Sequence, residues 1–278
     1  LARVTGTLYL CGTPIGHLGD VSDRLRSVLG EVDLIYAEDT RRAAVLLGAL
    51  GVKNEVRSYF IGNEQRRAGE LAERLRSGDS VALISDAGMP SIADPGYSAV
   101  AAAIDVRAEV TVVPGPSAVT AALAVSGLPA ARFVFEAFLP RKRKDRLARL
   151  RLLAEEERTI VLFAGKAHVV VDLVELAEHL GTDRKVAVAR ELTKAYEEVW
   201  RGRLGEAAEH WKDRELRGEF TIVVAGADEK LADFDRTVAL TIDAIESGES
   251  MADAVRRIAS ESGISRRELY ETVLRQLR

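Results

Sequence analysis

Ser80-Val81-Ala82-Leu83-Ile84-Ser85-Asp86-Ala87-Gly88-Met89-Pro90-Ser91-Ile92-Ala93-Asp94-Pro95-Gly96 reads as a short apolar run that passes directly into a loop. Residues 80–84 are too few and too uniformly apolar for an amphipathic helix, and they fit a strand buried on both faces. The loop, 85–96, holds two acids, two prolines and two glycines. A passive connection needs fewer conformation-fixing residues, and long rigid loops on such scaffolds carry function. Small residues at 87, 88 and 93 would let main chain lie against a flat ligand. Asp86 could accept from a ribose hydroxyl or an amine.

The same strand-then-turn pattern recurs outward from this stretch. Strands are predicted at 7–11, 34–37 and 110–113, and helices at 22–29, 41–50, 68–76 and 97–103. That alternation implies right-handed crossovers and a mainly parallel sheet, so the fold class is α/β. The second half alternates too, with strands at 133–135, 159–163, 185–189 and 220–225 between helices at 117–126, 144–154, 170–180 and 204–211. Several short strands near its end suggest a mixed sheet. A polar bridge at 227–236 leads to helices at 237–247, 251–262 and 269–277, with Ser265 three residues ahead of a capping-box Glu268. The expected domains are 1–116, 117–228 and a helical tail, 236–278.

Composition bounds the function. The 278 residues are 47% hydrophobic and 29% charged, which supplies a core and excludes intrinsic disorder. A single cysteine forms no internal disulfide, no Cys/His cluster is present to hold a metal, and a reducing cytoplasm is the expected location. Residues 110–131 carry no charge over 22 positions, yet Pro114, Gly115, Pro116, Gly127 and Pro129 interrupt them, so a strand, turn and helix are expected rather than a membrane span. Residues 1–3 lack the long apolar region of a signal peptide, so export is not expected.

Net charge is −4, but Arg141, Lys142, Arg143, Lys144, Arg146, Arg149 and Arg151 fill seven of eleven positions against one acid. A solvated helix face is the usual reason for a charge run; so lopsided a run favours phosphate contact. The tail, by contrast, balances seven arginines with seven acids.

Four more motifs sit where predicted strands end. Gly12-Thr13-Pro14-Ile15-Gly16 permits a sharp turn and close ligand approach, although alone it is equally a strand-to-helix turn. Glu38-Asp39-Thr40-Arg41 places paired acids at a strand's carboxyl end; a helix N-cap would occupy one acid and leave the other. Pro116-Ser117-Ala118 opens a helix whose free N–H groups can hold an oxygen-rich ligand. Arg190-Glu191-Leu192-Thr193-Lys194 offers an amine to stabilise an alkoxide and an acid to take a proton, or else an ion pair between segments.

Taken in order, GTPIG, AEDTR, SDAG-P-I-DPG, PGPSA, SGLP, F-FE-FLP and RELTK resemble the tetrapyrrole-methylase superfamily, from about Thr7 to Ala227. Within it, the chain is similar to the bacterial small-subunit rRNA cytidine 2′-O-methyltransferases. The resemblance implies a two-domain α/β methylase, usually a homodimer, that binds S-adenosylmethionine in a cleft and methylates 16S rRNA of the small ribosomal subunit. By position it implies cofactor contacts at Gly12, Thr13, Pro14, Gly16, Ser85, Asp86, Ala87, Gly88, Ile92, Ser117, Ala118, Phe163 and Ala164. Asp39, Glu191 and Lys194 are the expected catalytic groups, and Arg41, Arg141, Lys142, Arg143, Lys144 and Arg146 the expected RNA contacts. No metal is expected.

The chain departs from that pattern at His17 for Asn, Met89 for Thr, and Ala137 for the Gly of Glu-Gly-Phe. Phe163-Ala164-Gly165-Lys166-Ala167-His168-Val169 stands where the pattern reads like Phe-Tyr-Glu-Ser-x-His-Arg, with Lys166 able to return a positive charge and His168 a candidate base. Two other readings are a tetrapyrrole C-methyltransferase and a cofactor- or RNA-binding homologue without turnover.

Overall fold

The computed structural model of the protein describes residues 5–212, 214, 216–227, 234–263 and 265–277. Expectations placed on residues 1–3, 228–233, 264 and 278, and on the Arg236 side chain, lie outside it. The chain divides into two compact units, 1–154 with 158–225, and 155–157 with 226–278.

Both sheets belong to the first unit. One consists of β1 (Thr7–Cys11), β2 (Leu34–Ala37), β3 (Val56–Ser58), β4 (Val81–Ile84) and β5 (Glu109–Val113), ordered β3-β2-β4-β1-β5 and parallel throughout. Its central strands β2 and β4 are apolar and buried at every residue because both faces are covered. Ile35 and Ala37 meet Leu25 and Leu29 of α1 (Asp23–Glu31) and Ala43 and Leu47 of α2 (Thr40–Leu50). Leu34 and Tyr36 point the other way, onto Leu71 and Leu75 of α3 (Glu64–Arg76) and Ala99 and Ala103 of α4 (Tyr97–Asp105). Each leucine so buried contributes about 1.5–3 kcal/mol. Cys11 is part of this core; burial pushes its thiol up to about 12, which keeps it unreactive.

The register decides where the loops emerge. Cys11 lies opposite both Ile84 and Val113, and Ala37 opposite Ile84. Gly12, Glu38, Ser85 and Pro114 therefore leave the sheet at one level on its carboxyl edge, where open α/β sheets place ligands.

The second sheet is mixed, as expected. It comprises β6 (Phe133–Phe138), β7 (Thr159–Gly165), β8 (Lys185–Arg190), β9 (Glu198–Arg203) and β10 (Glu219–Val224), ordered β6-β7-β10-β8-β9, with only the β6–β7 pair parallel. One face packs on α6 (Arg143–Ala154), α7 (Val169–Leu180) and α8 (Leu204–Lys212). The other, through Val161, Ala187, Ala189 and Val223, packs on α5 (Ala118–Ser126) together with Ile15 and Leu192. The uncharged 110–131 stretch is thus β5, a Pro-Gly-Pro turn and α5. Among the described residues no helix is long and apolar enough to cross a membrane.

Two strands were absent from the sequence expectation. β3 and β9 are sheet edges with no fully buried residue, so neither has the continuous apolar run that marks the inner strands.

A local irregularity at the end of β6 bears on the site. Pairing with β7 shifts register between Phe135 and Phe138, and Ala137 sits at φ 52°. This is a left-handed conformation that costs an alanine roughly 1–2 kcal/mol, which explains why the related pattern has glycine there. Ala137→Gly is expected to stabilise the protein by about 1 kcal/mol and raise Tm by about 2–4 °C in a calorimetric scan.

The second unit holds α9 (Phe234–Glu246), α10 (Met251–Ser262) and α11 (Arg266–Gln276) around Val238, Val255, Ile258, Leu269 and Val273. Ser265 caps α11, its Oγ accepting from the Glu268 N–H at 3.5 Å.

Candidate functional site

At the level of those strand ends lies a cavity of about 480 Å³. Its first wall is the 86–94 loop with Glu38 and Arg42; its second is built from the ends of β7, β8 and β10 through Phe163, Ala164, Ala189, Glu191, Lys194 and Thr221. Antiparallel pairing explains the second wall. Glu219 lies opposite Gly165, and Phe220 opposite both Ala164 and Arg190, so the outgoing ends of β7 and β8 flank the start of β10. Ser117 and Ala118 close the cavity from the start of α5.

Asp86, Ala87, Gly88, Ile92, Ser117, Ala118, Phe163 and Ala164 line the cavity, as do Glu191 and Lys194. Gly12, Thr13, Pro14, Gly16 and Ser85 do not line it; they form its frame. Thr13 exchanges backbone hydrogen bonds with Gly88 at 2.9 and 3.1 Å, and its hydroxyl donates to the Ser85 carbonyl at 3.2 Å. Gly12 crosses Gly115 so closely that a Cβ on Gly12 would lie 2.6 Å from the Gly115 nitrogen. Gly16 backs onto the Lys194 stem, and the His17 N–H donates to Thr193 Oγ1 at 3.1 Å.

Asp39 requires correction. It is the N-cap of α2, accepting from the Arg41 N–H at 2.8 Å and from the Arg41 guanidinium at 2.6 and 3.1 Å, and it does not line the cavity. Those hydrogen bonds hold its carboxyl far below the usual range, which unsuits it as a base. Arg41 is engaged in the same clasp. Glu38, the acid beside it, is the one that faces the cavity.

Arg146 is the other correction. Its guanidinium pairs with Asp172 at 2.7 Å and with Glu175, at 13% side-chain exposure, so it binds α6 to α7 rather than offering charge to RNA. Arg141, Lys142, Arg143 and Lys144 remain exposed. Lys166 and His168 are also exposed and lie outside the cavity lining, with His168 the N-cap of α7.

Two charge clusters face each other. On the first wall, Asp86 accepts from the Asp39 N–H at 3.0 Å, lies 3.4 Å from Arg42 and approaches Glu38 through its own N–H. Burial, then the neighbouring Asp86 charge, raises the Glu38 carboxyl. Asp94 goes further: burial, then the charge of Glu38, pushes it up to about 6. The folded value thus lies above the unfolded one. Stability from this group is complete below about pH 4 and is lost as pH rises through 6. Asp94→Asn is expected to be more stable than the parent by about 1 kcal/mol at pH 7.5, the gap closing between pH 6 and 4 in paired thermal melts.

On the second wall, Lys194 Nζ donates to Glu191 at 2.8 Å and Glu219 at 2.9 Å, while Glu191 also accepts from the Glu219 N–H at 3.0 Å. Burial alone would raise the Glu191 carboxyl; the bonds from Lys194 and the Glu219 N–H outweigh it and lower it. Burial likewise disfavours the Lys194 charge, and its two carboxylate bonds reverse that, so the amine stays protonated.

Backbone strain collects around these walls. Ser91, Ala93, Glu191 and Thr193 have φ of 70°, 62°, 50° and 64°. Such conformations persist where surrounding contacts over-determine them, as at ligand sites. Sequence reasoning missed Glu38, Arg42, Asp94, Phe138 and Glu219 as lining residues. Glu38 and Asp94 stood inside quoted motifs; Glu219 had no signal, since it reaches the cavity only through antiparallel pairing.

A family model described as Tetrapyrrole (Corrin/Porphyrin) Methylases matches residues 7–208. The chain belongs to this family. Similar curated relatives of this family member include a ribosomal RNA small subunit methyltransferase I of Synechocystis, 41% identical over 97% of this chain and 98% of that one. Another, of the same description, is from Mycobacterium tuberculosis, 43% identical over 99% and 96%. Among solved structures, uroporphyrin-III C-methyltransferase from Thermus thermophilus complexed with S-adenyl homocysteine shares the fold, with TM-score 0.55 at 22% identity over 79% of this chain and 97% of that one.

Proposed function

We propose that the protein transfers a methyl group from S-adenosylmethionine to the 2′-hydroxyl of a cytidine ribose in 16S rRNA of the small ribosomal subunit. The observation that carries this reading is the cavity, into which loops from both sheets bring an apolar floor between two charged walls. The relatives' description supports the RNA substrate, and the resemblance supports the cytidine 2′-oxygen.

The residues present fit the cofactor. A cavity of about 480 Å³ suits a ligand of nucleoside size. Ala87, Ala118, Phe163 and Leu192 offer apolar contact to a flat base, while Asp86, Glu38 and Asp94 suit hydroxyls and cationic groups. When bound, the cofactor supplies a methyl group on a positively charged sulfur, open to in-line attack by an oxygen.

The chain's own residues do the rest. The walls position the two reactants, which converts a bimolecular step into an effectively unimolecular one. Lys194, kept protonated by Glu191 and Glu219, stabilises developing negative charge on the attacking oxygen. Glu191 is committed to that amine and is a weak base. Asp94, titrating near 6, is the carboxyl best matched to accept the hydroxyl proton near neutral pH.

The relatives' description favours RNA over the tetrapyrrole alternative, and the exposed Arg141, Lys142, Arg143 and Lys144 offer cations to a run of phosphates. We propose two α/β domains, 1–116 and 117–228, on the ground that β1–β5 precede and β6–β10 follow that boundary. A homodimer and a cytoplasmic location belong to the same proposal. Parallel incubations with labelled cofactor and either purified small subunits or uroporphyrinogen, followed by nuclease mapping of the RNA, test the function. A single ribose-methylated cytidine supports it, and label confined to uroporphyrinogen overturns it.

A further inference from the structure

Phe138 stands at the rim of the cavity. It lines the cavity, yet its surface is 57% exposed, although it ends a strand whose neighbours Leu139 and Phe163 are buried or half-buried. Three features hold the ring at the mouth. The register shift in β6 and the left-handed Ala137 turn the chain so that Phe138 faces outward. The Phe163 ring supports it from beneath, with centroids 5.7 Å apart, and Phe135 supports Phe163 in turn at 4.9 Å. Glu136, inside the irregularity, pairs with Arg149 of α6 at 3.3 Å, which anchors the bulge to the basic helix.

The chain then runs through buried Leu139 and half-buried Pro140 to the exposed Arg141, Lys142, Arg143 and Lys144. Three residues span at most about 11 Å. An aromatic face with Arg141 within that distance, and Lys142, Arg143 and Lys144 following directly in the chain, match an unstacked base and its flanking phosphates. The ring sits at the cavity rim beside a left-handed Ala137 and is braced from beneath by Phe163, and backbone strain of this kind gathers at ligand sites.

We propose that Phe138 is a stacking platform for an unpaired base of the RNA substrate, held at the cavity mouth while Arg141, Lys142, Arg143 and Lys144 grip the adjoining phosphates. The RNA class rests on the function proposed above; the stacking role rests on the ring and its supports. A base removed from its stack and docked here would present its ribose to the cavity.

The test compares the parent protein with Phe138→Ala, Phe138→Leu and Phe138→Trp. Each is titrated with a fluorescent single-stranded oligoribonucleotide and, separately, with S-adenosylhomocysteine by calorimetry; methyl transfer to small subunits is measured in parallel. Base stacking is worth roughly 1–3 kcal/mol, so Phe138→Ala and Phe138→Leu are expected to weaken RNA binding about 5- to 150-fold. Phe138→Trp is expected to restore it, with S-adenosylhomocysteine affinity within about twofold in all four proteins. RNA binding by Phe138→Leu equal to the parent's overturns the proposal, because bulk alone would then suffice. So does a loss confined to S-adenosylhomocysteine, which would assign the ring to the cofactor. Failure of the parent to methylate small subunits sinks the proposed function but leaves the oligoribonucleotide comparison intact, so the two failures are distinguishable.

Discussion

Arg146→Ala is expected to cost about 3–5 kcal/mol of folding stability, since it strands a buried carboxylate without its cation. Asp172 is 8% exposed and depends on Arg146 at 2.7 Å, and burial already raises its carboxyl against that bond. Tm in a thermal melt should fall by about 10 °C, and Arg146→Ala with Asp172→Leu should recover much of the loss. Neutralising Arg141, Lys142, Arg143 and Lys144 together should do the opposite. Tm should hold within a degree or two, while RNA affinity and its salt dependence decline, by about one unit of slope for each phosphate contact removed. If Arg146→Ala weakened RNA binding with Tm unchanged, its assignment as a clamp between α6 and α7 would be wrong.

Lys194→Met should lower kcat by about 100- to 1,000-fold, the usual consequence of removing one donor aimed at developing negative charge. It would also leave the Glu191 and Glu219 carboxylates, each within 3 Å of the lost amine, facing each other without a cation. Glu191 should then titrate upward, since its present lowering depends first on Lys194 among the groups that favour its charge. S-adenosylhomocysteine affinity should change much less than kcat. Were Lys194 only an ion pair between segments, Tm would fall and kcat per folded molecule would not; measuring both in one preparation separates the two roles.

These residues show why some features are legible in a sequence and others are not. β2 and β4 announce themselves because strands covered on both faces must be apolar at every position, and β1 because Leu8 to Cys11 is apolar; Glu38, Ser85 and Gly12 stop the three runs. β3 and β9 carry half-exposed residues at sheet edges, so nothing distinguishes them from loops. Arg146 was readable in principle: it precedes the buried Leu150 by four residues and Leu153 by seven, which puts it on the inner face of α6. Charge counting hid what helical spacing would have shown. At Glu38-Asp39 the pattern revealed that one acid would cap α2, but the choice between them needed the backbone. Ala137 could be seen as a departure from glycine, whereas its φ, and the ring that this φ displays, belong to the three-dimensional structure alone.

Central to all of this is a single adenosyl site shared by loops from both sheets. A crystal structure of the protein grown with saturating S-adenosylhomocysteine tests it most directly. The ligand should lie in the cavity against residues 86–88, 117–118 and 163–164, with Lys194 and Asp94 on the opposing walls. A cavity left empty at saturation, or the ligand found on any other surface, would contradict the account.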